Sequence, residues 1–191
     1  MFLVAVALGF LVAGSVIGRN LAQGTAFMLF LVAFGMLIAQ SFVEKLRVGT
    51  VAIVWLYAIA LLIGMGIGPA LNYFLTTQPD VVTQAAGSTA LIALGMGAGG
   101  FALSKDLARW MRPLSYIILA CVAISFATLI FSSGGNPFLS AIIAIVSSLL
   151  IAVNFNYLRK HGTKADAVWI ATGIFVSIVN IFLSLLNLFG D

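Results

Sequence analysis

The sequence predicts an all-α integral membrane protein. Seven transmembrane helices are expected, with the N-terminus cytoplasmic, the C-terminus outside and the last helix central in the bundle. Three observations carry that reading. Of the 191 residues, 63% are hydrophobic and only 7% charged, more apolar surface than a soluble domain can hide. The apolar residues fall in seven runs, each near the ~20 residues that a spanning helix needs. Eight of the nine Lys and Arg residues sit in alternate connections between those runs.

The runs cover about 2–18, 25–43, 50–74, 85–103, 114–131, 138–158 and 167–189. The first has no basic residue before Arg19 and is apolar throughout, which favours a true helix over a cleaved signal peptide. The breaks carry turn or charge signals: GRNLAQG (18–24), VEKLRVG (43–49), TTQPD (76–80), SKDLARWMRP (104–113), SSGGNP (132–137) and RKHGTKAD (159–166). Pro79, Pro113 and Pro137 mark helix starts. Pro69 follows GMGIG inside the third run, where it should kink or break the helix. Short connections make sequential helices antiparallel neighbours. No connection is long enough for a second domain, so residues 1–191 read as one.

Lys45 and Arg47, then Lys105, Arg109 and Arg112, then Arg159, Lys160 and Lys164 follow the second, fourth and sixth helices. Only Arg19 lies on the other side, a strong positive-inside bias that sets the orientation. These are loop residues with no basic block on a soluble fold, so nucleic-acid binding is not indicated. Glu44, Asp80, Asp106, Asp166 and Asp191 also lie at or near loops, and no ionisable group sits mid-helix. That argues against ion-coupled active transport and intramembrane protease chemistry. No HExxH, GxSxG or P-loop occurs, so no catalytic residue, cofactor or metal ligand is assigned. His161 stands alone in a loop and reads as a solvated residue. The single Cys121 reads as a small core residue.

Neutral polarity remains. In the last helix Gly173, Ser177, Asn180, Ser184 and Asn187 recur at steps of four, three, four and three, which places them on one face. The sixth helix carries Ser140, Ala144, Ser147, Ile151 and Asn154 at the same steps. Such seams allow close approach and interhelical hydrogen bonds; they can also line a narrow polar path. Ser147, Asn154, Ser177, Asn180, Ser184 and Asn187 are therefore the pore-lining or latch candidates. Gly64 and Gly68 form one GxxxG and Gly95 and Gly99 another; with Pro69 and Gly173 they are the candidate helix-packing residues.

Four stretches resemble the Bax inhibitor-1 (transmembrane Bax-inhibitor-motif) family, especially its bacterial YccA-like branch. GMGIGPALNYF (64–74) is similar to the family's glycine-rich third helix. GSTALIALGMGAGGFALSKDLARWMRPL (87–114) is similar to its fourth helix and following loop. IAVNFNYLRKHG (151–162) and FVSIVNIFLSLLNLFG (175–190) are similar to the end of its sixth helix and its closing signature. The resemblance runs in order over nearly the whole chain. It implies a bacterial inner-membrane, multi-pass, non-enzymatic protein that modulates or partners the membrane-anchored protease FtsH. The alternative it implies is a calcium or cation leak channel of the family's type, and a second alternative, which the sequence leaves open, is a stabilising subunit of a larger membrane complex.

Two departures bear on those expectations. Many members carry an acidic pair, at the end of the sixth helix and in the last helix, understood as a proton-sensitive latch for a Ca2+ leak. By motif those positions here are Asn154 and Ser177, which do not titrate in that range. Any leak is then expected to be insensitive to pH, the latch lost and its scaffold kept. Members also usually carry a cytoplasmic segment before the first helix, whereas Met1 begins the helix here, so no partner binding is carried over from such a segment.

Overall fold

In the computed structural model, which describes residues 1–131 and 136–190, the chain is helical with no strand among the described residues. The elements are α1 (Phe2–Gly18), α2 (Gln23–Phe42), a single 3₁₀ turn (Glu44–Leu46), α3 (Gly49–Thr77), α4 (Pro79–Ala102), α5 (Ala108–Phe131), α6 (Pro137–His161) and α7 (Ala167–Gly190). Most of the expected break at 132–137, and Asp191, lie outside the described residues. Among the described residues, α2, α3, α4, α6 and α7 are each long and apolar enough to cross a membrane, and α1 is apolar but shorter at 17 residues. Contacts gather the chain into two compact units. One is Met1–Pro79 with Thr163–Phe175, the other Asp80–Gly162 with Val176–Asp191, so α7 contributes to both.

Two expected boundaries move. α4 starts at Pro79, directly after Gln78, rather than near residue 85. Proline is suited to the first helical turn, and Asp80 in that turn favours the positive end of the helix dipole. The Thr76 and Thr77 hydroxyls donate back to the Tyr73 carbonyl at 2.9 and 2.8 Å, helping to satisfy the end of α3. α5 starts at Ala108, so Pro113 lies inside the helix and does not open it. The Asp106 carboxylate accepts from the Ala108 N–H at 2.9 Å, supplying a cap that hydropathy does not reveal. Pro137 does open α6, behind an Asn136 side chain that accepts from Leu139 N at 3.2 Å. α3 runs through Pro69 without a break over 29 residues.

In the first unit α1 and α3 meet through two interlocked small-residue faces. A Cβ on Gly14 would lie 2.3 Å from the Leu61 carbonyl oxygen, and one on Gly64 would lie 2.1 Å from that of Leu11. Pro69 has no N–H to offer the Met65 carbonyl. That oxygen lies against α1 instead, 2.3 Å from where a Gly18 Cβ would be. Gly68 meets the Gly18 and Ser15 backbone in the same way. Backbones this close gain dispersion and Cα–H···O contacts, the main attraction available where lipid is as apolar as leucine. The Trp55 indole N–H donates to the Met36 carbonyl at 3.1 Å, tying α3 to α2.

Candidate functional site

The α6 and α7 faces carry the sequence-predicted residues. Of the most apolar stretch of each helix, 56% is buried, against 17% for α2 and for α4, so both helices are largely enclosed by protein. No charged side chain occurs in 137–158 or in 167–190. Ser147, Asn154, Ser177 and Ser184 are buried; Asn180 and Asn187 are half-buried.

One bond joins the two seams directly. Asn187 Nδ2 donates to Ser140 Oγ at 3.1 Å. Counted along two antiparallel helices from that bond, Ser147 and Asn180 fall at one level. Ser177 falls level with Leu150, roughly 6 Å or one turn away from Asn154. The Asn154 amide is turned to its own helix, donating to the Leu150 carbonyl at 2.8 Å. The Ser147 hydroxyl is fully buried and has no hydrogen-bond partner. Its neighbour Ser148 back-bonds to the Ala144 carbonyl at 2.7 Å, the usual refuge for a helical serine. Ser147 does not take that refuge, and it has no hydrogen-bond partner among the described residues.

Among the packing glycines, Gly64 and Gly68 make the close contacts described. Gly95 and Gly99 do not: a Cβ on either would meet open space. The tight positions of α4 are Gly97, against the Phe155 ring, and Gly100, where a Cβ would lie 2.1 Å from the Ala152 carbonyl oxygen. The spacing pointed to a GxxxG, but the partner α6 lies on the adjoining face.

A second polar cluster ties the end of α6 to the α4–α5 connection. Asn156 is fully buried. Its Nδ2 lies 3.1 Å from each of the Gly100, Leu103 and Lys105 carbonyl oxygens, and its Oδ1 accepts from Leu107 N at 2.9 Å. Arg159 and Lys160 donate to the Leu103 and Ser104 carbonyls. His161 Nε2 pairs with Asp106 Oδ2 at 2.7 Å, so the histidine is exposed yet engaged. The Ala108 N–H, and after it His161, holds the Asp106 carboxyl below the usual aspartate range. In the first unit Gln40 plays a comparable part. Only 2% exposed, it donates to the Leu46 carbonyl at 3.0 Å and lies 3.3 Å from Thr172 Oγ1 on α7.

Asn156, Gln40, Gly14 and Gly18 escaped the sequence reading. Gly14 and Gly18 stand at GxxxG spacing and were there to be found. Asn156 lies about 200° around the helix from Asn154, off the stripe that drew notice.

Neutral, enclosed polar seams in long apolar helices define a multi-pass helical membrane protein, with no buried charge among the described residues. The comparisons narrow this further. The profile of the family described as "Inhibitor of apoptosis-promoting Bax1" matches residues 1–191, and the chain belongs to this Bax inhibitor-1 family. An uncharacterized Pseudomonas aeruginosa protein is 30% identical over 151 residues, covering 76% of this chain and 67% of its own. The Escherichia coli K12 protein named "Modulator of FtsH protease YccA" is 28% identical over 133 residues, covering 67% of this chain and 59% of its own. A second Escherichia coli sequence, equally similar over the same shares, is named "Inner membrane protein YccA". The chain thus spans three fifths to two thirds of the length of these relatives. It is a multi-pass inner-membrane protein of this family, with the YccA proteins among its relatives.

Proposed function

We propose that this protein is a non-enzymatic modulator or partner of an FtsH-type membrane protease. In this reading it has seven membrane spans in a single domain, with the N-terminus cytoplasmic and the C-terminus outside. The observation that carries the reading is the similarity to the protein named as a modulator of FtsH protease. The seams support it: residues 137–158 and 167–190 offer hydroxyls and amides but no acid, base or nucleophile pair with which to run a reaction. Affinity purification from native membranes in mild detergent tests it. The protease is expected to co-purify, and reproducible recovery of the chain without it overturns the reading.

A second reading is a pH-insensitive calcium or cation leak, favoured by the buried Ser147 hydroxyl, without a partner among the described residues, about two turns along α6 from the Ser140–Asn187 bond. Asn154 and Ser177 occupy the positions where relatives often carry an acidic latch, and neither can switch charge near neutrality. In proteoliposomes this reading requires a calcium flux that does not vary across a pH series. A flux that rises and falls near neutral pH contradicts the lost latch, and no flux at any pH removes the channel.

A further inference from the structure

The early start of α5 creates a surface that the functional reading leaves unused. Because the helix begins at Ala108, the segment ARWMRP is helical and projects its charges in a fixed pattern. Arg109, Arg112, Tyr116, Leu119 and Ala123 follow one another at steps of three, four, three and four, and all five are exposed. Met111 and Cys121, on the opposite side, are buried. The exposed stripe therefore begins with two guanidinium groups, passes a phenol and continues as an apolar face through Leu119 and Ala123. Arg109 and Arg112 lie about 4.5 Å apart along the axis, near enough to hold one tetrahedral anion between them. Leu119 lies roughly 10 Å further on, beyond Tyr116.

No described residue neutralises these two cations. The nearest carboxylate in sequence, Asp106, is taken by the Ala108 N–H and by His161. Neither arginine forms an ion pair among the described residues. Arg109 lies 5.7 Å from the centroid of the exposed Trp110 ring, an amphipathic side chain suited to the membrane–water border. The backbone just before the stripe is held by Asn156, Arg159 and Lys160, so the helix start is fixed before any ligand arrives.

We propose that Arg109 and Arg112 bind the phosphodiester of an anionic phospholipid, whose chains then lie along Tyr116, Leu119 and Ala123. Paired arginines recognise a phosphate by forked hydrogen bonds, and only a lipid also uses the apolar continuation of the stripe.

Native mass spectrometry of the full chain in neutral detergent tests this with phosphatidylglycerol and phosphatidylcholine of identical acyl chains. Phosphatidylglycerol should be retained preferentially. The double variant Arg109→Gln/Arg112→Gln should lose that retention roughly thirtyfold, since each of the two interfacial cations contributes on the order of 1 kcal/mol. Lys45→Gln/Lys164→Gln removes the same charge from other exposed loop positions and should retain the lipid as the parent does. Arg109→Lys/Arg112→Lys, which keeps the charge, should retain an intermediate amount, a readout that survives if the neutral variant folds poorly. Equal retention of the two lipids by the parent, equal loss in both neutral variants, or full displacement of phosphatidylglycerol by millimolar inorganic phosphate overturns the proposal. So does binding of an acidic peptide at this site in preference to the lipid.

Discussion

Asn187 on α7 donates to the Ser140 hydroxyl on α6 at 3.1 Å, and this bond sets the level at which the two polar seams face each other. Neutral interhelical bonds of this kind in membranes average about 0.6 kcal/mol and reach about 1.7. A double-mutant cycle of Ser140→Ala and Asn187→Ala, read by unfolding in mixed micelles, should return a coupling energy in that range. Strict additivity would show that the two side chains do not act together.

The heavier polar residue of α6 is Asn156. Its side chain serves three carbonyls and one N–H at zero exposure, whereas the amide N–H of Asn154 serves one carbonyl of its own helix. Asn156→Ala leaves the Leu107 N–H and the Gly100, Leu103 and Lys105 carbonyls without this partner and should cost roughly 3 kcal/mol. Asn156→Asp should cost at least as much, because a carboxylate offers no donor to three carbonyl oxygens. Asn154→Ala should cost under about 1 kcal/mol. Equal losses at the two positions, measured by the same unfolding assay, would defeat this ranking.

Hydropathy made the membrane segments readable because length and apolarity are what a bilayer selects. It missed residues 79–84 and 108–113, which are helical but polar, since helix formation needs caps and propensity rather than lipid. The small-residue spacing in α4 was readable too, but not its direction. Gly95 and Gly99 share the spacing of Gly64 and Gly68, and only the position of α6 decides that Gly97 and Gly100 bear the contact. Likewise Asn154 fitted a periodic stripe while Asn156 did not, yet the α4–α5 connection that Asn156 holds lies some fifty residues away in sequence. The Ser140–Asn187 bond joins the two helices at one end of the stripes rather than at the latch positions.

The glycines separate cleanly by what a methyl group would strike. Gly64→Ala and Gly100→Ala place a Cβ 2.1 Å from a backbone carbonyl oxygen of a neighbouring helix, so the helices must part. Each should destabilise by about 1–3 kcal/mol. Gly95→Ala and Gly99→Ala meet open space and should be neutral or stabilise by about 0.5–1 kcal/mol through helix propensity. Thermal unfolding in detergent checks all four. A destabilising Gly95→Ala would point to packing against something other than this chain.

Asp106 gives a pH dependence whose sign is set by its lowered pKa. A carboxyl that ionises more easily when folded stabilises the fold above the ordinary aspartate pKa of 3.8 and loses that contribution as pH falls through the depressed value. The parent should therefore unfold at a higher temperature than Asp106→Asn at pH 6, and the gap should close as the pH is lowered below about 4. Because the pair is exposed, the gap should be small and shrink with salt. A gap that persists at low pH would assign the effect to the Asp106 geometry rather than to its charge.

Ser147 distinguishes a dry seam from a wet one. Its hydroxyl is fully buried without a protein partner, and an unsatisfied buried hydroxyl costs about 1–3 kcal/mol. If α6 and α7 simply pack, Ser147→Ala removes that cost for the loss of one oxygen atom. The variant should then gain roughly 1 kcal/mol in stability and leave protease association unchanged. A conducting seam demands the opposite, because a hydroxyl hydrated by permeating water is already satisfied and Ala would remove a partner from that chain. Measuring unfolding and calcium flux on this one variant therefore reads both proposals together. A more stable Ser147→Ala supports the partner-binding protein, and a less stable one with altered flux supports the leak.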